Sequence, residues 1–309
     1  MGERVGAALL IAFGGPDRME DVRPFLANVL RGRPVPPARI EEVVRHYEEI
    51  GGRSPLTELT FRQAAALQEQ LRQAGVALPV HVGMRNWSPY LHETLACLAG
   101  EGVRRAVGLI LAPHQSEASW TNYQESVAEA RGRIGPQAPE VEYTPPWFDH
   151  PLFIEAMADR TAEALAQVPE ARRERAPLVF TAHSIPVAMA EASPYVEQLT
   201  TSARLVARRL GRSAWSIVYQ SRSGSPREPW LEPDIGDALR ALAAEGATDV
   251  VVVPIGFVCD HVEVLWDLDI YARGIATQAG LGFHRAPTAN DHPVFVRMMA
   301  DLVRTCLEA

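Results

Sequence analysis

The chain has 309 residues, 47% hydrophobic and 22% charged, with a formal net charge of −8. This is ordinary globular composition, long enough for one large domain or two smaller ones. The acidic balance argues against a nucleic-acid partner, which needs a basic face. The sequence contains no lysine, so the 30 Lys+Arg positions are all arginine and Schiff-base lysine chemistry is excluded. Cys97, Cys259 and Cys306 lie far apart without CxxC spacing, which speaks against a zinc knuckle, a cysteine-ligated cluster and a disulfide framework. The first apolar run, "VGAALLIAF", is too short to span a membrane and has no cleavage site. It predicts a buried strand, no transmembrane segment and a cytoplasmic, reducing location.

In chain order, strands are predicted at 7–13, 80–84, 106–113, 176–183, 215–220 and 249–256. Amphipathic helical patterns lie between them, as at 56–75 and 151–168. Continuous apolar strands separated by helices predict α/β architecture with parallel, doubly wound sheets flanked by helices. Residues 95–116 echo 239–261, each reading as helix, glycine stop, strand, then Pro and a polar loop. "ALLIAFGGP" (8–16) likewise echoes "PLVFTAHSIP" (177–186). The echoes predict two similar lobes, 1–146 and 147–309, with the last helix packing back on the first. Ligands in such sheets bind at the carboxyl ends of the strands, so a cleft between the lobes is expected.

Five stretches, at strand ends or in loops, are candidates for a site. "AFGGP" (12–16) is a glycine turn permitting close backbone approach, without the GxGxxG spacing of a dinucleotide site. "LRGRPVPP" (30–37) and "RHYEEIGGRSPL" (45–56) place Arg31, Arg33, Arg45, Arg53 and Ser54 in or beside loops, where guanidinium forks suit carboxylates. "TAHSIP" (181–186) delivers His183 to a strand mouth, where it suits proton transfer, metal ligation or a plain turn hydrogen bond. "YQSRSGSPREPWLEPDI" (219–235) offers hydroxyls such as Ser221 and the flat face of Trp230, either as a rigid connection or as a wall for a large planar ligand.

The densest stretch is "VVVVPIGFVCDHVEVLWDLD" (250–269). A helix is predicted from Asp260, and the Asp260/Glu263 spacing fits a capping box. Val262, Leu265 and Trp266 are expected to form its apolar stripe. Glu263 and Asp267 share a face, where two carboxylates repel unless a cation, a proton or an arginine lies between them. Cys259 reads as a small buried residue.

These motifs, with "LAPHQS" and "WFDHP" and in the same order, resemble the ferrochelatase family, nearly end to end. "HYEEIGG" and "LAPH" are similar to its bacterial branch that metallates coproporphyrin III. The resemblance implies Fe²⁺ as substrate and a histidine and glutamate facing the metal, at His183 and Glu263. On that reading His183 takes the pyrrole protons, Glu263 holds iron or passes protons, and Asp267 continues the relay. It further implies porphyrin contacts at Phe13, Arg31, Arg45, His46, Tyr47, Ser54, Tyr123, Ser221 and Trp230. Some positions depart from the family pattern. Phe13 stands where close bacterial relatives carry a tyrosine able to face the metal, while Leu30 and His46 replace arginines where the family contacts propionates. With only Cys306 near the C-terminus, no [2Fe–2S] cluster or other prosthetic group is expected. The resemblance also implies a monomer making transient contact with neighbouring heme-pathway enzymes. Alternatives are a protoporphyrin IX ferrochelatase, a cobalt or nickel chelatase, or a non-catalytic tetrapyrrole or metal carrier.

Overall fold

A computed structural model describes residues 4–31, 34–224 and 227–308, so Arg33 lies outside the described residues. The chain forms two compact units. The first comprises Met1–Ala112, Ala118–Pro146 and Asn290–Ala309, and the second Pro113–Glu117 and Trp147–Ala289.

In the first unit, β1 (Ala7–Ala12), β2 (Val80–Met84), β3 (Arg105–Ile110) and β4 (Glu140–Tyr143) form a parallel sheet in the order β2-β1-β3-β4. All six β1 residues are buried, as expected of a central strand covered on both faces. The helix Leu56–Gln73 buries Leu59, Gln63, Leu67 and Leu71, the repeat of one helical face. The C-terminal helix Pro293–Glu308 belongs to this unit. It is tied in by Arg62 on the Asp291 carboxylate and by the Gln63 amide donating to the Asn290 carbonyl at 2.7 Å.

The second unit repeats the plan with β5 (Leu178–His183), β6 (Trp215–Gln220), β7 (Asp249–Val253) and β8 (Gly282–Arg285), in the order β6-β5-β7-β8 and all parallel. Each sheet therefore runs second, first, third, fourth strand. Val179, Val218, Val250 and Val252 pack against Leu239, Val264, Leu268, Ala272 and Ile275 on one side of this sheet.

The six predicted strands are present, β2 and β6 with the predicted bounds and the other four trimmed at one end. β7, for example, stops at Val253 because Pro254 has no N–H to continue the ladder. β4 ("EVEY") and β8 ("GFHR") escape the apolar pattern because they are four-residue edge strands with little full burial. Among the described residues no helix is long and apolar enough to cross a membrane.

The turn after β7 presses on β5 close to His183. The Gly256 N–H donates to the Thr181 carbonyl at 3.0 Å, and a Cβ at Gly256 would stand 2.7 Å from the Ala182 Cα. Backbone cannot yield there as a flexible side chain would, so Gly256→Ala should destabilise the chain by about 1–3 kcal/mol in urea unfolding. An unchanged midpoint would show that the turn has room to move.

Candidate metal and proton site

The β5/β6 register aligns Ala182 with Tyr219 and His183 with Gln220, so both strands end together. His183 closes β5, and its backbone carbonyl accepts the Tyr195 hydroxyl at 2.9 Å. Gln220, fully buried beside it, donates its amide to the backbone carbonyl of Glu263. The sheet edge thus anchors the backbone that bears the carboxylate.

Glu263 lies in the helical turn Val262–Leu265, which runs into a π-helix, Asp267–Ala272. Val264, Leu268, Ala272 and Ile275 bury against the sheet and set the orientation of the segment. This corrects the expected stripe of Val262, Leu265 and Trp266, all of which are only partly buried. The expected capping box is also absent. The helix starts two residues later, at Val262, with His261 at its N-cap and no side-chain cap bond. Asp260 instead accepts from Arg285 and from the Thr288 hydroxyl, each at 3.2 Å. A guanidinium in a half-buried setting outcompetes a backbone N–H for that carboxylate.

Two imidazoles converge on Glu263. His183 Nε2 is 3.6 Å from Oε1, and His261 Nε2 is 3.5 Å from Oε2. The other ring nitrogens face carbonyls: His183 Nδ1 meets the Ser184 oxygen, and His261 Nδ1 meets the Cys259 oxygen at 3.0 Å. A carbonyl can only accept, so each Nδ1 carries a hydrogen and each Nε2 is left to face the carboxylate. Cys259 is buried and contributes this carbonyl. Asp267 stands one turn on and accepts the Ser221 hydroxyl at Oδ2. Ser221 adopts a left-handed backbone with φ 62°, a strained conformation for a side-chain-bearing residue.

The electrostatics follow from crowding these groups out of water. Burial lowers the His183 pKa, but the Glu263 carboxylate outweighs it and raises the imidazole to about 9. Burial pushes Glu263 up, and the His183 charge and hydrogen bonds more than offset this, holding it well below the usual carboxylate range. Burial, reinforced by the Glu263 charge, raises Asp267 to about 7 despite its bond from Ser221. At neutral pH the pair is an imidazolium beside a carboxylate, followed by an acid poised to exchange its proton. The side chains of His183 and Glu263 remain 29% and 34% exposed, so a small ion can reach them.

The remaining predicted contacts divide between the units. Trp230, partly buried, pairs with Pro186 in the second unit. In the first unit, Phe13 follows β1 and packs edge-on to Phe25, which also meets Tyr47 and Trp87 at 6.2–6.3 Å. Tyr47 and Tyr123 are buried, as is Ser54, whose hydroxyl accepts the Leu56 N–H at 3.3 Å. Gly15 makes this possible, since a Cβ there would lie 2.8 Å from Ser54. Arg31 terminates the helix Met19–Leu30 in a left-handed conformation and donates to the Arg85 carbonyl at 3.2 Å. Arg45 is exposed. Burial and the neighbouring Arg39 depress the His46 pKa, so this residue does not replace an arginine as a cation. Sequence patterns did not select His261, Tyr195 or Gln220 as parts of the site. The "DH" pair at 260–261 was the only local signal, because the other two reach the site through the sheet and a distant helix.

The fold is that of the two-unit α/β chelatases. The structure superposes on the sirohydrochlorin chelatase SirB from Bacillus subtilis subspecies spizizenii in complex with cobalt with a TM-score of 0.57 at 13% identity, covering 98% of this chain and 96% of that one. For SirB from Bacillus subtilis with Fe³⁺ the TM-score is 0.60, again at 13% identity, covering 97% and 94%. The family model described as Ferrochelatase matches residues 6–307. The coproporphyrin III ferrochelatase of Mycolicibacterium smegmatis is 45% identical, covering 96% of this chain and 88% of the relative. That of Mycobacterium avium is 49% identical, covering 96% and 87%. The chain belongs to the ferrochelatase family.

The charge on Glu263 is what raises His183. Glu263→Gln should therefore lower the His183 pKa from about 9, leaving burial opposed only by the Ser184 carbonyl and Asp267. An NMR titration of the His183 ring protons reads this directly, and an unchanged pKa would refute the pairing.

Proposed function

We propose that the chain inserts Fe²⁺ into coproporphyrin III, a step of heme biosynthesis, using His183 and Glu263 as the groups that handle metal and protons. The observation that carries this reading is the convergence of two imidazole Nε2 atoms on one carboxylate, 3.6 and 3.5 Å away. Family membership and the names of the relatives at 45% and 49% identity support the porphyrin and the metal. The free cysteines suit the reducing cytoplasm expected for the chain.

The chemistry is an exchange: as Fe²⁺ binds the four ring nitrogens, two pyrrole N–H protons leave. A nitrogen keeps its lone pair in the ring plane, so bending the macrocycle exposes it, and preferential binding of the bent form lowers the barrier. In the resting site the His183–Glu263 pair already holds a proton. Once deprotonated, His183 Nε2 can accept a pyrrole proton while Glu263 attracts the incoming cation. Asp267, with its pKa near 7, can accept and release protons at neutral pH and so clear them from the pair. Phe13 can stack on a macrocycle but has no oxygen for iron. Arg31 and Arg45 are the cations offered to propionates, with His46 neutral. The relay, the porphyrin contacts, a monomeric state, transient contact with neighbouring pathway enzymes and the absence of a [2Fe–2S] cluster are parts of the same reading.

The decisive assay is anaerobic steady-state metallation with coproporphyrin III and protoporphyrin IX in parallel. Repeated turnover faster on coproporphyrin III is expected. At most one equivalent of product would instead identify a carrier, and preference for Co²⁺ or Ni²⁺ would redirect the metal assignment. His183→Ala should abolish metallation while leaving porphyrin binding measurable by fluorescence quenching. Loss of binding with intact turnover per bound porphyrin would overturn the role of His183.

The pH dependence follows from the raised imidazole. His183 is protonated below about 9, so its proton-accepting form becomes more abundant as pH rises. The single-turnover rate should climb about tenfold per unit through the neutral range and level off near that pKa. A flat profile from about pH 6 to about 8 would exclude His183 as the base.

A further inference from the structure

The segment that carries His261, Glu263 and Asp267 is held at both ends by one side chain from a different strand. Arg285 is the last residue of β8. Its Nε donates to Asp269 Oδ1 and its Nη2 to Asp269 Oδ2, each at 2.8 Å, a bidentate pairing. Its Nη1 reaches Asp260 Oδ1 at 3.2 Å and the Ala286 carbonyl at 3.1 Å. Asp260 lies just before the metal-facing stretch, and Asp269 lies within the π-helix just beyond it. The Arg285 side chain is only 13% exposed, so water does not compete strongly for these donors.

We propose that Arg285 is a positioning residue for metal insertion: by clamping Asp260 and Asp269 together, it fixes the span that presents Glu263 to His183 and His261. The proposal rests on the role given above to Glu263. A partly buried arginine with two carboxylates adds little net stability compared with apolar packing, because desolvation offsets most of its Coulombic attraction. What the fork does supply is direction, since two parallel N–H···O bonds allow one orientation of the Asp269 carboxylate. Core packing of Val264 and Leu268 sets which face of the segment meets the sheet, but the π-helix Asp267–Ala272 breaks the regular i→i−4 ladder within the helical run, so a side-chain tie across that break adds a constraint on the side chains before it. Arg273 cannot substitute. It meets Asp269 at 3.4 Å, is 47% exposed, and its guanidinium lies over the Phe283 ring.

The test uses the whole chain with Arg285→Met, which keeps the stem, Arg285→Lys, which keeps the charge without the fork, and Arg285→Ala for chemical rescue. Wild type and Glu263→Gln run beside them. Anaerobic turnover is measured with Fe²⁺ varied at saturating coproporphyrin III, porphyrin Kd by fluorescence quenching, and folding by thermal midpoint. Arg285→Met should lower kcat and raise the metal KM by roughly 10- to 100-fold in kcat/KM, with porphyrin Kd unchanged. Arg285→Lys should fall between it and wild type. Guanidinium ion, added far below unfolding concentrations, should restore part of the turnover of Arg285→Ala and none of that of Glu263→Gln. Wild-type kcat and metal KM in Arg285→Met overturn the clamp and leave the Glu263 role intact. Equal losses of turnover, porphyrin binding and thermal midpoint, without guanidinium rescue, overturn it as a merely structural contact. Full turnover in Glu263→Gln overturns the underlying reading, and the clamp with it.

Discussion

A carboxylate with an imidazole nitrogen near each of its oxygens is the constraint around which the second unit is arranged. Three titratable groups so close together and partly out of water would be unstable with the wrong number of protons, and His183 and Glu263 resolve this by sharing charge. The Glu263 carboxylate stays ionised because His183 stays protonated to about 9. The same field raises Asp267 to about 7. If a divalent cation binds there as proposed, it would take over the compensating role of the proton, and its affinity would be coupled to proton release.

The protein holds this arrangement through backbone more than through side-chain contacts. Gln220 secures the carbonyl of Glu263, Tyr195 the carbonyl of His183, and the Ser184 and Cys259 carbonyls orient the two rings. Strand ends suit this purpose. The apolar residues of β5 and β7 are fully buried up to Ala182 and Val253, and ligands in such sheets bind at the carboxyl ends of the strands. Both units use the same strand order, but their exits differ. The second carries His183 at the end of β5, whereas the first carries Phe13 in an aromatic cluster with Phe25 and Trp87.

Much of the fold was legible because buried parallel strands leave an unmistakable trace: "ALLIA", "AVGLI", "LVFTA" and "VVVV" are apolar without alternation. β4 and β8 left none, being short edge strands, and β8 turned out to carry Arg285. The capping-box reading of Asp260 failed for a related reason. Local spacing permitted it, but a distant guanidinium competes better for the carboxylate than a neighbouring N–H. His46 shows the same limit. It stands where an arginine was expected, and only its burial beside Arg39 shows that it does not take over the positive charge.

By itself the sequence determined the alternation of strand and helix and the repeated plan, and it singled out His183 and Glu263 as candidates. These depend on local hydrophobic period and on motifs contiguous in the chain. Only the tertiary structure decided that His261 joins them, that Ser221 serves Asp267 and that Arg285 reaches both Asp260 and Asp269. Parallel β pairing causes this difference. It brings together residues dozens of positions apart, and the orientation of a carboxylate or imidazole is set by whichever partners the register delivers.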